Sequence, residues 1–126
     1  MTPNILIVDD EPGIQEAFEL MLGDAYGLRM AGSAEEALDL SAEVARSIRL
    51  IYLDGALGPG MSGERALPAL KIKFPGACII YIGASGIVRA STLLAAGVGF
   101  VLPKPWDVVQ LQAIAREGMA RGIADN

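Results

Sequence analysis

Short apolar runs alternate with amphipathic stretches along the whole chain. Asn4-Ile5-Leu6-Ile7-Val8 is a branched apolar run, the pattern of a strand buried on both faces. Pro12 to Leu22 reads as a helix, with Ile14, Phe18, Met21 and Leu22 at helical spacing, Pro12 in the first turn and Asp10 or Glu11 as its cap. Gly23 ends it. Leu28-Arg29-Met30-Ala31 is a weak strand. Ser33 with Glu36 has the spacing of a capping box, and Ala34, Ala37, Leu38, Ser41 and Val44 mark one helical face up to about Arg46. Leu50 to Leu53 is a third strand, ending in Asp54 and a Gly-rich loop, Gly55-Ala56-Leu57-Gly58-Pro59-Gly60. Ser62-Gly63-Glu64-Arg65 opens a helix with Ala66, Leu67, Leu70 and Phe74 on its face, stopped by Pro75-Gly76. Pro68 fits that helix without loss only in the first turn. Ala77 to Ile82 is a fourth strand, Val88 to Ala96 a helix ended by Gly97, and Gly99 to Leu102 a fifth strand. Trp106 to Arg121 is the last helix, with Val109, Leu111, Ile114 and Ala115 facing inward.

Five strands alternating with helices through short connections imply a parallel sheet covered on both faces. The expected fold is α/β: a doubly wound, five-stranded parallel sheet of the flavodoxin-like class. Its order is taken as 2-1-3-4-5, one of the two common orders for such sheets. The 126 residues fit one domain spanning 1–126, and a hydrophobic content of 52% supports a sizeable core.

Composition narrows the chemistry. The net charge is −5 with no basic run, which argues against nucleic-acid binding by this domain. No apolar stretch approaches the length of a membrane span, and no basic region precedes the first apolar run as a secretory signal requires. The default expectation is a cytoplasmic protein. The single cysteine, Cys78, lies in an apolar run and reads as a small core residue. There is no histidine, which excludes a Ser-His-Asp triad, a Cys-His pair and histidine metal ligands within the chain.

Three strands carry charged groups at their carboxyl ends: Asp9-Asp10 after the first, Asp54 after the third and Lys104 after the fifth. Each has a plain explanation. Asp54 can simply start a turn, Asp-Asp-Glu can begin a helix, and Lys-Pro can form a turn. Their coincidence at one sheet edge is less easily explained. In the order 2-1-3-4-5 the first and third strands are neighbours, so Asp9, Asp10 and Asp54 converge where the winding reverses. Clustered carboxylates repel one another, and a hard dication such as Mg²⁺ relieves the conflict. Asp is a covalent phosphoryl acceptor in known chemistry, and a lysine across the pocket can neutralise the transferred group.

Ile5-Leu6-Ile7-Val8-Asp9-Asp10-Glu11-Pro12, Tyr52-Leu53-Asp54 with Pro59-Gly60-Met61-Ser62-Gly63, and Leu102-Pro103-Lys104-Pro105-Trp106 together resemble the receiver domain of two-component response regulators. The resemblance covers nearly the whole chain. It implies a Mg²⁺-dependent domain that takes a phosphoryl group from a histidine kinase or a histidine phosphotransfer protein. It makes Asp54 the acceptor, Asp10 a direct metal ligand, Asp9 a helper often acting through water, and the Ala56 carbonyl the third protein metal ligand. Lys104 would contact the phosphoryl group, and Lys104-Pro105 would be a cis peptide.

Three departures from the family pattern stand out. The loop from Asp54 to Pro59 is one residue longer, with Gly58 the extra residue. Gly83 replaces the usual Thr or Ser after the fourth strand, and Val101 replaces the usual Tyr or Phe on the fifth. These imply an atypical output switch, in which Ser85 could stand in for the missing hydroxyl. The alternative is a pseudo-receiver, a phosphorylation-independent protein-binding module. A phosphoaspartate phosphatase would carry Asp-x-Asp on the first strand, whereas Asp9 and Asp10 are adjacent. A flavodoxin-like cofactor binder needs a phosphate loop free of the acidic residues found here.

Overall fold

Burial on both sides makes the strand runs almost uniformly apolar, and they assemble as the pattern predicts. A computed structural model describes residues 2–83 and 86–122. The strands are β1 (Ile5–Val8), β2 (Leu28–Ala31), β3 (Leu50–Asp54), β4 (Cys78–Ile82) and β5 (Phe100–Leu102). The helices are α1 (Pro12–Leu22), α2 (Ala34–Leu38), α3 (Ala42–Ser47), α4 (Gly63–Lys73), α5 (Ile87–Ala95) and α6 (Val108–Arg121). All pairings are parallel and the order is β2-β1-β3-β4-β5. One face of the sheet packs Ile5, Ile7, Leu50, Tyr52, Ile80 and Ile82 against Phe18 and Leu22 of α1 and Leu111 and Ala115 of α6. The other packs Leu6, Val8, Ile51, Leu53, Ile79 and Tyr81 against residues of α2 to α5.

The expected helix over 34–46 is two helices. Ser41, expected on its inward face, is instead an exposed N-cap that accepts a 3.2 Å hydrogen bond from the Val44 amide. A serine hydroxyl competes with the helical ladder for nearby amides, so it favours a new start over continuation. The Ser33 cap forms as expected, with the Glu36 amide donating to its hydroxyl. The reciprocal half of that box differs, because the Glu36 carboxylate accepts from the Gly32 amide. At α1 neither Asp10 nor Glu11 caps with its side chain. Glu11 occupies the N-cap position without a side-chain bond, and Pro12 follows it.

Pro68 lies in the second turn of α4 rather than the first, so the Glu64 carbonyl lacks the amide that would normally reach it. The helix continues because Ala66, Leu67 and Leu70 are buried on either side of the proline. α6 starts two residues later than expected, at a capping box formed by Asp107 and Gln110. Its buried stripe is Leu111, Ala115 and Gly118, and Val109 falls off that stripe, being 76% exposed. Cys78 is half-buried against the α6 side of the core. Among the described residues no helix is long and apolar enough to cross a membrane.

Candidate functional site

The sheet register delivers the acidic residues together. Val8 pairs with Leu53, so the residues that follow, Asp9 and Asp54, leave adjacent strands side by side. Asp9 is held at the strand end because its amide donates to the Ala31 carbonyl (3.0 Å), and its own carbonyl accepts from the Gln15 side chain (2.8 Å). Its Oδ1 accepts from the Glu11 amide (2.9 Å), a local turn that aims Asp10 outward. Asp54 closes β3. Its Oδ1 accepts from the Ala56 amide (3.0 Å) and lies 3.3 Å from Lys104 Nζ. Asp9 and Asp54 are buried and Asp10 is exposed, and one carboxylate oxygen from each lies within 4.8 Å of the others.

The Asp9 carboxyl is pushed above the usual carboxylate range, chiefly by burial. The Glu11 amide opposes that rise, Asp54 adds to it, and Lys104 opposes it. Three convergent carboxylates with only one lysine bonded to Asp54 among the described residues form a hard-oxygen cluster suited to Mg²⁺.

Asp9, Asp54 and Lys104 line a cavity of about 470 Å³ together with Phe18, Pro105 and Trp106. Trp106 stacks obliquely on Phe18 at 5.8 Å between ring centroids, and Phe18 meets Tyr52 at 4.9 Å. The Tyr52 hydroxyl donates to the Leu111 carbonyl (2.8 Å), so the aromatic wall is tied to α6. The Lys104–Pro105 bond is cis, as the family resemblance implies, and Gly58–Pro59 is also cis.

The loop after Asp54 is fixed from several directions. Leu57 is buried, and the Met61 amide donates to Glu35 of α2 at 2.9 Å. That bond holds the Glu35 carboxyl below its ordinary range. No spacing in the sequence marked Glu35, because the contact spans 26 residues. Gly63, the first residue of α4, packs against the backbone of Asp54 and Gly55. A Cβ there would meet the Asp54 carbonyl oxygen at 2.5 Å and the Gly55 Cα at 3.1 Å. Gly63→Ala should therefore lower stability by about 1–3 kcal/mol, since the obstructing atoms are backbone. A urea midpoint equal to wild type would show that α4 can shift freely.

At the atypical switch positions, Gly83 has φ +108°, a conformation that favours glycine, and among the described residues a Cβ there would meet the Lys104 side-chain carbons at 3.7 and 3.9 Å. Val101 is half-buried and pairs in register with Tyr81. Ser85 lies outside the described residues.

The model of the response regulator receiver domain family matches residues 5–116. The chain belongs to that family. The receiver domain is 30% identical over 125 residues to the transcriptional regulatory protein AruR of Pseudomonas aeruginosa, covering 96% of this chain and 51% of AruR. Among solved structures, the receiver domain of NtrX from Brucella abortus superposes with a TM-score of 0.79 at 29% identity, covering 93% of this chain and 98% of that one. A response regulator receiver domain from Clostridium thermocellum gives a TM-score of 0.82 at 26% identity, covering 94% and 95% of the two chains. The receiver domain spans about half the length of the curated relatives it matches.

Proposed function

We propose that this receiver domain accepts a phosphoryl group on Asp54 in a Mg²⁺-dependent transfer from a histidine kinase or a histidine phosphotransfer protein. One observation carries the reading: Asp54 is buried, touched by Lys104, and flanked by Asp9 and Asp10 in one carboxylate cluster. An Asp54 carboxylate oxygen attacks phosphorus and forms the new P–O bond. The P–N bond to the donor imidazole breaks, and its electron pair leaves with the ring, which is reprotonated. Lys104 neutralises charge on the phosphoryl oxygens, and the Ala56 amide orients Asp54. Asp9, Asp10, Asp54 and the Ala56 carbonyl would hold Mg²⁺, which when bound neutralises the approaching phosphoryl oxygens. The absence of histidine is consistent with a donor supplied by another protein. Residues 1–126 act as a single receiver domain in the cytoplasm, without binding nucleic acid.

The output is atypical, because Gly83 brings no hydroxyl and Val101 no ring. A ligand shifts a conformational equilibrium only through differential contacts with its states. With beryllium fluoride as phosphoryl mimic, amide shifts should concentrate around Asp54, Gly58 and Lys104. Shifts of equal size through residues 88–101 would contradict this.

The function is tested with a small phosphodonor and intact-mass measurement. One phosphoryl group should appear with Mg²⁺ present and vanish in Asp54→Asn. Bound Mg²⁺ without labelling would favour the pseudo-receiver, a module that binds partners without phosphorylation.

A further inference from the structure

Tyr81 is a buried side chain of β4 that reaches the residue next to the acceptor. It pairs in register with Leu53 on one side and Val101 on the other, and is 3% exposed. Its hydroxyl lies against Gly55, the residue after Asp54, where a Cβ would come within 2.4 Å of the phenol oxygen. The Arg89 guanidinium of α5 sits beside the Tyr81 hydroxyl. Arg89 in turn grips Glu64 of α4 with both terminal nitrogens, Nη1 at 2.9 Å from Oε1 and Nη2 on Oε2. Both partners of that ion pair are part-exposed, 44% and 40%, so it is worth little as a stabilising contact. Burial raises the Tyr81 phenol, Arg89 opposes the rise, and Glu64 and Asp54 add to it, which puts all three charged groups within its electrostatic reach.

Charge balance gives this arrangement a use. Asp9, Asp10 and Asp54 bring three negative charges, balanced by Lys104 and a dication. Converting the Asp54 carboxylate to its acyl phosphate adds about one further negative charge. Lys104 is already engaged, and Gly83 has no side chain to offer. Arginine suits the vacancy, because its planar fork binds phosphoryl oxygens in pairs.

We propose that Arg89 is a second phosphoryl-binding cation, stored on Glu64, guided by Tyr81, and drawn to Asp54 when Asp54 carries its phosphoryl group. The proposal rests on the phosphoacceptor reading. Glu64 competes with the phosphoryl group for Arg89, and the Tyr81 hydroxyl keeps the guanidinium at the site's edge in either state. Phosphorylation thereby breaks the link between α4 and α5, giving this domain an output that needs neither a hydroxyl at position 83 nor a ring at position 101.

The test is the affinity for beryllium fluoride at saturating Mg²⁺, followed through Trp106 fluorescence. Arg89→Ala should weaken it about tenfold, and Arg89→Lys should restore part of the loss. Tyr81→Phe should weaken it severalfold. Glu64→Gln should strengthen it severalfold, because it removes the competitor. That opposite sign separates stored charge from a structural ion pair, whose loss from either side would act alike. Affinity unchanged in Arg89→Ala, or weakened in Glu64→Gln as in Arg89→Ala, would overturn the proposal. If wild type neither binds beryllium fluoride nor accepts a phosphoryl group with Mg²⁺ bound, it is the phosphoacceptor reading that has failed. Wild-type labelling with unchanged Arg89→Ala affinity sinks only the role of Arg89.

Discussion

Asp10→Ala should weaken Mg²⁺ binding at least tenfold. Asp10 is the exposed member of the cluster, yet one of its carboxylate oxygens lies within 4.8 Å of those of Asp9 and Asp54. A unit charge pair 4 Å apart is worth about 1 kcal/mol even in water, and a dication doubles that to about 2 kcal/mol. A tenfold change in affinity needs only about 1.4 kcal/mol. Direct coordination would add to the loss, so tenfold is a lower bound. The readout is a Mg²⁺ titration followed through Trp106, which lines the same cavity. Asp24, an exposed acid outside the cluster, provides the control, and Asp24→Ala should change the affinity less than twofold. Equal affinities in wild type and Asp10→Ala would remove Asp10 from the ligand set.

Asp9→Asn should stabilise the metal-free protein while impairing Mg²⁺ binding. The folded chain holds the Asp9 proton more tightly than the unfolded chain, because burial raises its carboxyl above the ordinary value of 3.8. Protonation therefore favours folding. As pH rises from 3.8 through the raised folded value, this group's contribution to stability declines, and it stays lowered at neutral pH. Asparagine keeps an oxygen to accept the Glu11 amide while removing the buried charge beside Asp54. Relief of such a site typically gains about 1 kcal/mol, which for a chain of this size corresponds to roughly 4 °C in melting temperature.

On the proposed reading Mg²⁺ should reverse the sign, since it would bind the deprotonated cluster. Wild type should be protected from melting by Mg²⁺ at neutral pH, and that protection should fade on acidification before an ordinary carboxylate would titrate. In Asp9→Asn most of the protection should be absent. A melting temperature lower than wild type without Mg²⁺ would mean that the Asp9 charge is favourably held.

The parts legible in the sequence are those governed by local pattern. The apolar runs of β1, β3 and β4 bury both faces, so their composition alone marks them. Asp54 is recognisable because it ends such a run, and Lys104 because it follows the short apolar run of β5 after a single proline; the strand order then brings them within 3.3 Å. Local competition was harder to read. Ser41 has an apolar residue on either side and sits at helical spacing, so the sequence does not reveal that its hydroxyl caps a new helix. The Asp107–Gln110 box did carry a recognisable signal, a capping residue with an amide side chain three positions on.

Contacts between distant segments left no local trace. Glu35 meets Met61 across 26 residues and Glu64 meets Arg89 across 25, and each looks like an ordinary helix surface residue in sequence. Tyr81 looked like one more apolar strand position. Its contact with Gly55 depends on the β3–β4 register and on the glycine leaving room for the ring.

The central claim, that Asp54 is the phosphoacceptor, is tested most directly by locating the modified residue. After labelling with a small phosphodonor and Mg²⁺, borohydride reduction converts an acyl phosphate into the corresponding alcohol, so a phosphorylated aspartate becomes homoserine. Peptide mass spectrometry should then find homoserine at position 54 and nowhere else, and only in samples that received both donor and Mg²⁺. Homoserine at position 9 or 10, or labelled protein with unreduced Asp54, would contradict the account.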